Sequence, residues 1–258
     1  MPIITLCNHK GGTGKTTSTI NVAAALGLIG YKTLVIDLDP QSFLSEMLNL
    51  PETKDENTSL ALFGMYRSLG EMPVLKAKNF DVMPSTRTLT KLLRNLTRPT
   101  DVFWIKETIE SGHDYDFVLI DTAAAVTSLT INALVATQQV VIPVIPEFQS
   151  IIGGEQTWQT CKMVKKSLNP MMDDPLFLIS KYDGRRKIHA KFHHYLQRQY
   201  PERVLKSVIR TDTQLAEKSA TGSSIFDVSP QGRGAMDFAN MADALLQITR
   251  PHPQTQAI

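Results

Sequence analysis

The residues best suited to chemistry stand together near the start of the chain: Asn8-His9-Lys10-Gly11-Gly12-Thr13-Gly14-Lys15-Thr16-Thr17. Glycines let a backbone come close enough for several N–H groups to point at one phosphate. Lys15 adds a full positive charge, and a helix opening there adds the partial charge of its N-terminus. The Thr16 hydroxyl suits a Mg²⁺ ion riding on the phosphates. Together these residues imply capture of a nucleoside triphosphate. His9 stands where the P-loop pattern has glycine, which leaves a second lysine, Lys10, inside the loop. Lys10 and Lys15 repel each other unless a dense anion lies between them.

Three carboxylates answer the loop. Asp37 and Asp39 follow one apolar run, and Asp121 ends another, Phe117-Val118-Leu119-Ile120-Asp121. The latter is a Walker B pattern, its carboxylate placed for the hydration shell of Mg²⁺. A lone aspartate at a strand end is often a helix cap, but three around one loop form a set. Asp37 and Asp39, two apart, would share a face of an extended strand. Pro40 marks the exit from that strand, so their directions diverge. One then serves the metal while the other orients water toward the γ-phosphate.

The elements that must position these groups follow from apolar patterning. The apolar run from Ile3 through Cys7 reads as a strand and Lys15–Ile29 as a helix capped by Gly30. Thr33–Asp37 is a nearly continuous apolar strand of the kind buried on both faces. Residues 51–79 read as a surface excursion with some helix, and Phe80–Pro84 as a short strand. Leu89, Leu92, Leu93 and Leu96 recur at helical spacing as a core-facing stripe ended by Pro99. Another helix is expected from Asp101 to Gly112. Further strands are Phe117–Asp121, Val140–Val144, Leu176–Ser180 and Arg203–Ile209. Further helices are Ser150–Leu168, Lys187–Tyr200 and Arg233–Thr249. Strands alternating with helices imply one α/β domain over residues 1–250: a doubly wound, mostly parallel β-sheet flanked by helices. Residues 251–258 read as a short Pro-containing tail.

At 258 residues, 42% hydrophobic and 20% charged, the chain is an ordinary globule able to bury a large core. Two cysteines, Cys7 and Cys161, are too few for a disulfide framework, and Cys7 is expected as a buried thiol. No signal peptide is visible, and no apolar stretch reaches the roughly 18–20 residues that span a bilayer. A cytoplasmic protein is expected. The net charge of +2 conceals an asymmetry: residues 185–210 hold eight Lys/Arg against one acid, Glu202. The eight are Arg185, Arg186, Lys187, Lys191, Arg198, Arg203, Lys206 and Arg210. In the helix of this segment Ile188, Phe192, Tyr195 and Leu196 form an apolar stripe. Lys187, Lys191, His194 and Arg198 share another face. Such density favours a polyanion, most simply DNA phosphates, bound without sequence preference and with strong salt dependence. His189 and His193, at i and i+4, have metal-ligand spacing but no third ligand.

The motifs Lys10-Gly11-Gly12-Thr13-Gly14-Lys15-Thr16-Thr17, Asp37-Leu38-Asp39-Pro40-Gln41 and Tyr115-Asp116-Phe117-Val118-Leu119-Ile120-Asp121-Thr122 resemble the ParA/Soj branch of the deviant Walker A (SIMIBI class) P-loop ATPases. Weaker matches run through Tyr182-Asp183-Gly184-Arg185 and Leu215-Ala216-Glu217 to Ile225-Phe226-Asp227. The resemblance implies that residues Lys10 to Thr17 bind ATP·Mg²⁺, with Thr16, Asp37 and Asp121 serving the metal. It implies that Lys10 is the signature lysine, crossing to the nucleotide of a second copy in an ATP-sandwich homodimer. Asp39 would orient the attacking water, with Lys10 and Lys15 stabilising charge. It further implies non-specific DNA binding, with Arg185, Arg186, Lys187, Lys191, Arg198, Lys206 and Arg210 as candidates, and so nucleoid association. A ParB-like protein or cargo adaptor would stimulate a slow intrinsic hydrolysis, moving plasmid or chromosomal DNA or, alternatively, a protein cargo. Two departures stand out. Thr122-Ala123-Ala124-Ala125 replaces the family's proline pair, and Ile209-Arg210-Thr211 lacks the proline before that arginine. A MinD-like membrane ATPase would need a C-terminal amphipathic helix, which Pro251 and Pro253 preclude. A nitrogenase-type iron–sulfur reductase would need loop cysteines that are lacking after Asp121. A non-enzymatic module would leave the acids unexplained.

Overall fold

The computed structural model describes residues 1–64, 68–217 and 222–249. The tail expected at 251–258 lies outside the described residues. The chain order is β1 (Ile3–Leu6), α1 (Lys15–Leu28), β2 (Thr33–Asp37), α2 (Phe43–Met47), β3 (Leu75–Lys76) and β4 (Asp81–Met83). Next come α3 (Leu89–Leu92), α4 (Trp104–Glu110), β5 (Phe117–Asp121), α5 (Ser128–Ala136), β6 (Gln139–Val144) and α6 (Phe148–Ser167). Then follow β7 (Leu176–Tyr182), α7 (Lys187–Gln199), β8 (Val204–Arg210), α8 (Thr213–Glu217), α9 (Ile225–Val228) and α10 (Arg233–Thr249).

One sheet runs β3-β4-β2-β5-β1-β6-β7-β8, and every pairing is parallel except β3 with β4. Parallel strands need helical crossovers, and these cover both faces. The five residues of β2 are therefore all buried. Val35 faces a core shared with α1 and α10, whereas Leu34 and Ile36 face a core shared with α4. A third cluster joins β6 and β7 to α6 and α7 and takes in Cys7 and Cys161, both buried free thiols. From β1 the chain winds first toward β2 and later toward β6, so the crevice beyond the C-terminal end of β1 is a topological switch point. Leu6 and Asp37 both align with Asp121 in the sheet register, which brings the three strand ends level.

The doubly wound sheet expected from the sequence is present, and β2, β5 and α10 have the expected bounds. The leucine stripe is not a core helix. Only Leu89 is fully buried, and regular helix stops at Leu92. Beyond it, hydrogen bonds of the three-residue kind (Arg94 N–H to Lys91 O, 3.2 Å; Asn95 N–H to Leu92 O, 2.8 Å) mix with four-residue ones, and Pro99 opens a 3-10 turn. Helix α5 carries no amphipathic signature because Leu129, Thr130 and all residues from Asn132 to Ala136 are buried. Among the described residues, no helix is long and apolar enough to cross a membrane.

Candidate active site

The loop after β1 is built as its glycines require. Gly12 and Gly14 adopt φ of 74° and 92°, left-handed values that other residues rarely take, and Gly14 stands at the N-cap of α1. Ser180 Oγ on β7 donates to Thr13 O at 2.7 Å and fixes the inner half of the loop. Lys15 is buried and folds beneath the loop, its Nζ donating to Asn8 O at 3.2 Å and Lys10 O at 3.4 Å. Burial holds the Lys15 ammonium below its usual pKa, with Asp121 opposing the shift. An ammonium resting on carbonyl oxygens is poised to exchange them for phosphate.

The carboxylates divide by depth. Asp121 accepts from Thr16 Oγ1 at 2.7 Å and from Thr19 Oγ1 at 3.5 Å. Asp37, its neighbour across the β2–β5 pairing, accepts from Asp39 N–H at 3.0 Å and from Ser45 Oγ at 3.2 Å. Both are fully buried. Burial pushes the Asp121 carboxyl up to about 7, and burial followed by the Asp121 charge pushes Asp37 well above the carboxylate range. Two buried acids without a full counter-charge fit a divalent cation. Mg²⁺ favours such a partial set of hard oxygens, completed by water and substrate phosphates. The Thr16 hydroxyl can give its proton to Asp121 and keep a lone pair for the ion.

Asp39 lies differently. Strand β2 already ends at Asp37, three residues before Pro40, and Asp39 is half-buried in a cleft formed with Gly11, Gly12, Lys15, Thr16 and Thr17. Its Oδ1 accepts from Gln41 N–H at 2.9 Å, and Ser85 Oγ donates to its carbonyl at 2.7 Å. The structure thus separates the two acids, one beside Asp121 and one facing the cleft. Lys10 is exposed and is not part of the cleft wall. Ala124, in the run that replaces the proline pair, lies across from Gly11 and forms part of that wall.

A second cleft adjoins the first and shares Gly14, Thr17 and Lys181 with it. Its far wall is Ile209, Arg210, Thr211 and Asp212 at the end of β8. Sequence reasoning did not single out Lys181 as a site residue. It is exposed, sits at the end of β7 with a φ of 49°, and its carbonyl accepts from Thr211 Oγ1 at 3.0 Å. Its charge stands between the two clefts.

The basic segment is sorted by its neighbours. Arg210 forks onto Asp237, with Nη2 2.5 Å and Nε 3.1 Å from Oδ1. Arg185 forks onto Asp183, both contacts at 3.0 Å, and Arg186 lies 3.8 Å from Glu147. Lys187, Lys191, Arg198 and Lys206 are exposed, with no ion pair among the described residues. The apolar stripe of α7 is rotated from its expected position. Ile188 and Tyr195 are 42% and 39% exposed, while His189 is buried with Phe192 and Leu196 nearby. Burial lowers the His189 pKa, and its Nδ1 accepts from Asp183 N–H at 3.0 Å, so the remaining proton is on Nε2. That tautomer has no lone pair left for a metal. Among the described residues no group of three or more His, Cys, Asp or Glu could hold one.

Comparison with known proteins agrees with this geometry. A family profile described as an AAA domain (AAA_31) matches residues 1–173. The chromosome-partitioning ATPase Soj of Thermus thermophilus is 31% identical over 248 residues, 94% of each chain. The chain belongs to the ParA/Soj family of P-loop ATPases. Solved structures share the fold. A putative plasmid partition protein from Borrelia burgdorferi bound to AMPPNP superimposes with a TM-score of 0.81 at 21% identity, over 96% of this chain and 99% of that one. Cobyrinic acid a,c-diamide synthase from Mycobacterium smegmatis, with bound ADP and magnesium, gives 0.79 at 24% identity, over 96% and 94%. At those identities the likeness concerns the fold alone. The ParA/Soj membership rests on the sequence relatives and on the loop that carries both lysines.

Proposed function

We propose that this ParA-family ATPase binds ATP·Mg²⁺, closes into a homodimer around two nucleotides, and holds DNA non-specifically until a partner stimulates hydrolysis. The observation that carries the reading is the contrast between the two loop lysines. Lys15 is buried against its own loop, whereas Lys10 projects outside its own cleft. A cation so placed serves a phosphate on another molecule, as an arginine finger does in trans.

In this reading the triphosphate lies along Gly11 to Thr17, and the base and ribose extend into the cleft between the ends of β7 and β8. Thr16, Asp121 and Asp37 would hold Mg²⁺, which would supply neutralising charge to the phosphates. Asp39 orients the water whose oxygen attacks the γ-phosphorus, and the bond to the β–γ bridging oxygen breaks to leave ADP and phosphate. Lys187, Lys191, Arg198 and Lys206 supply the DNA contacts. A ParB-like partner, or an adaptor on another cargo, supplies the stimulus.

DNA retention with ATP and with ADP, for wild type, Lys10→Ala and Lys15→Ala, tests the coupling. Retention is expected with ATP alone and only in wild type. Equal retention by either variant overturns the proposal. Stimulation by a partner that carries no DNA would assign the protein to a protein cargo and overturn the DNA-segregation part.

A further inference from the structure

The two halves of the phosphate loop are anchored to different parts of the fold. The inner half, Gly12 to Thr17, rests on α1 and on Ser180 of β7. The outer half, His9 and Lys10, rests on β6 and α6. Asn8 is fully buried and ties Lys10 to β6: its Nδ2 donates to Pro143 O at 2.7 Å, and its Oδ1 accepts from Lys10 N–H at 2.8 Å. His9 N–H donates to Thr157 Oγ1 at 3.0 Å, and that hydroxyl donates to Gly153 O one turn earlier at 2.7 Å. Thr157 is fully buried, so neither bond competes with water.

Gly153 completes the arrangement by having no side chain. A Cβ there would lie 3.0 Å from Lys10 Cβ and 3.1 Å from Asn8 Oδ1. Two adjacent glycines inside a 20-residue helix disfavour it by about 0.5–1 kcal/mol each relative to alanine. Each glycine has its own steric reason. A Cβ on Gly154 would meet Val144 Cγ1 at 2.6 Å, so Gly154 lets α6 lie on the sheet, while Gly153 lets it lie against the outer loop.

We infer that α6, through Gly153 and Thr157, is the positioning element of Lys10, setting the angle at which that lysine leaves the loop toward a second copy of this chain. This rests on the trans role proposed for Lys10 above. The inner loop has its own anchors on α1 and Ser180, and its Lys15 gives up its bonds to Asn8 O and Lys10 O when phosphate arrives, so a disturbed α6 contact weakens dimerisation and hydrolysis while nucleotide capture by the monomer stays intact. Gly153 and Thr157 act through Lys10 and touch no reacting atom.

The test uses the full chain. Fluorescent-ATP affinity is measured on monomer, ATP-dependent dimerisation by light scattering, and hydrolysis by phosphate release, for Gly153→Ala, Thr157→Val, Thr157→Ser and Lys10→Ala. Gly153→Ala and Thr157→Val should lower dimerisation and turnover by about tenfold or more, since displacing a catalytic group by a fraction of an ångström is costly. Monomer affinity should stay within about twofold, and Thr157→Ser, which keeps the hydroxyl, should restore the lost activity. In the Lys10→Ala background Gly153→Ala should add nothing, because the group it positions is already gone. If Gly153→Ala does not fold, the Thr157→Val and Thr157→Ser pair carries the comparison alone. Normal dimerisation by Gly153→Ala and Thr157→Val beside a defective Lys10→Ala overturns the inference and leaves the trans lysine standing. A further loss on top of Lys10→Ala, or an equal loss of monomer affinity, also overturns it. Normal dimerisation by Lys10→Ala itself overturns the parent reading.

Discussion

The phosphate loop and helix α7 both carry positive charge, yet the fold treats them in opposite ways. The loop cations are tied down: Lys15 is buried on two carbonyls, and the Lys10 backbone is held by Asn8. In α7 the buried positions belong to His189 and Leu196, and the lysines stand in solvent with nothing to orient them. A site that must recognise one phosphate geometry is over-determined by backbone and buried side chains. A surface that must hold any stretch of a polyanion needs charge density and little else. The comparison can be broken from either side.

The largest effect is expected where the geometry is tightest. Asp39→Asn keeps the size of the side chain and removes the charge proposed to orient water. Single-turnover hydrolysis should fall by about 10²–10⁴-fold, the usual contribution of a positioned acid–base group. Nucleotide affinity should stay nearly constant, since the proposed phosphate contacts come from the loop and Lys15. A fall in affinity matching the fall in rate would make Asp39 a binding residue and blur the division of labour between it and Asp37.

The same contrast explains how far the sequence carried. Thr16 was legible because a glycine-rich run leads there into a helix, and Asp39 and Asp121 because each stands at or just after a strand end that an apolar run already announces. Strands β2 and β5 were bounded correctly for the same reason, being buried on both faces. What escaped notice converges from distant chain: Ser180 and Lys181 on β7, Thr157 and Gly153 on α6. Only the Gly153-Gly154 pair left a trace, as two poor helix formers inside a long helix. Helix α5 was missed because burial on nearly every side erases the helical period. The stripe of α7 was misplaced because His189, neutral and bound to Asp183 N–H, fills a core position that its residue type does not suggest. The pairing of Arg210 with Asp237 and of Arg185 with Asp183 depends on tertiary neighbours that charge counting does not reveal.

A second expected effect concerns pH. Burial pushes the Asp121 carboxyl up to about 7 and is also the chief cause that raises Asp37 well above an ordinary carboxyl. If these acids serve Mg²⁺ as proposed, the ion needs their ionised forms, and binding of its nucleotide complex would release protons. Affinity for Mg²⁺ with a non-hydrolysable ATP analogue should therefore climb between about pH 6 and pH 8, by up to about tenfold per pH unit for each proton released. The sign reverses for the ligand-free protein. A carboxyl whose folded pKa exceeds its unfolded value stabilises the fold at low pH, and that contribution is lost as pH rises from about 4 to the folded value. Thermal scans should thus show the ligand-induced gain in Tm widening as pH rises. A gain that narrows would mean the acids meet the nucleotide protonated.

The smallest effect is the most discriminating for α7. Each lysine or arginine that neutralises one DNA phosphate contributes about 0.9 to the slope of log affinity against log salt. Lys187→Ala, Lys191→Ala, Arg198→Ala and Lys206→Ala, measured one at a time with ATP present, should each reduce the slope by at most that amount, with a few-fold loss of affinity. Arg210→Ala should leave the slope unchanged, because its guanidinium is already forked onto Asp237, whose side chain is 5% exposed. Its loss should appear in Tm instead, since a buried carboxylate deprived of its partner is destabilising. Arg185 lies between these cases: it is paired with Asp183 but 91% exposed, and so exposed a bridge yields readily to phosphate. Its alanine variant should reduce the slope by less than the free lysines do. An Arg210→Ala slope change as large as that of Lys191→Ala would mean that DNA breaks the Asp237 fork on binding, and the basic face would then extend from α7 across the end of β8 to the rim of the second cleft.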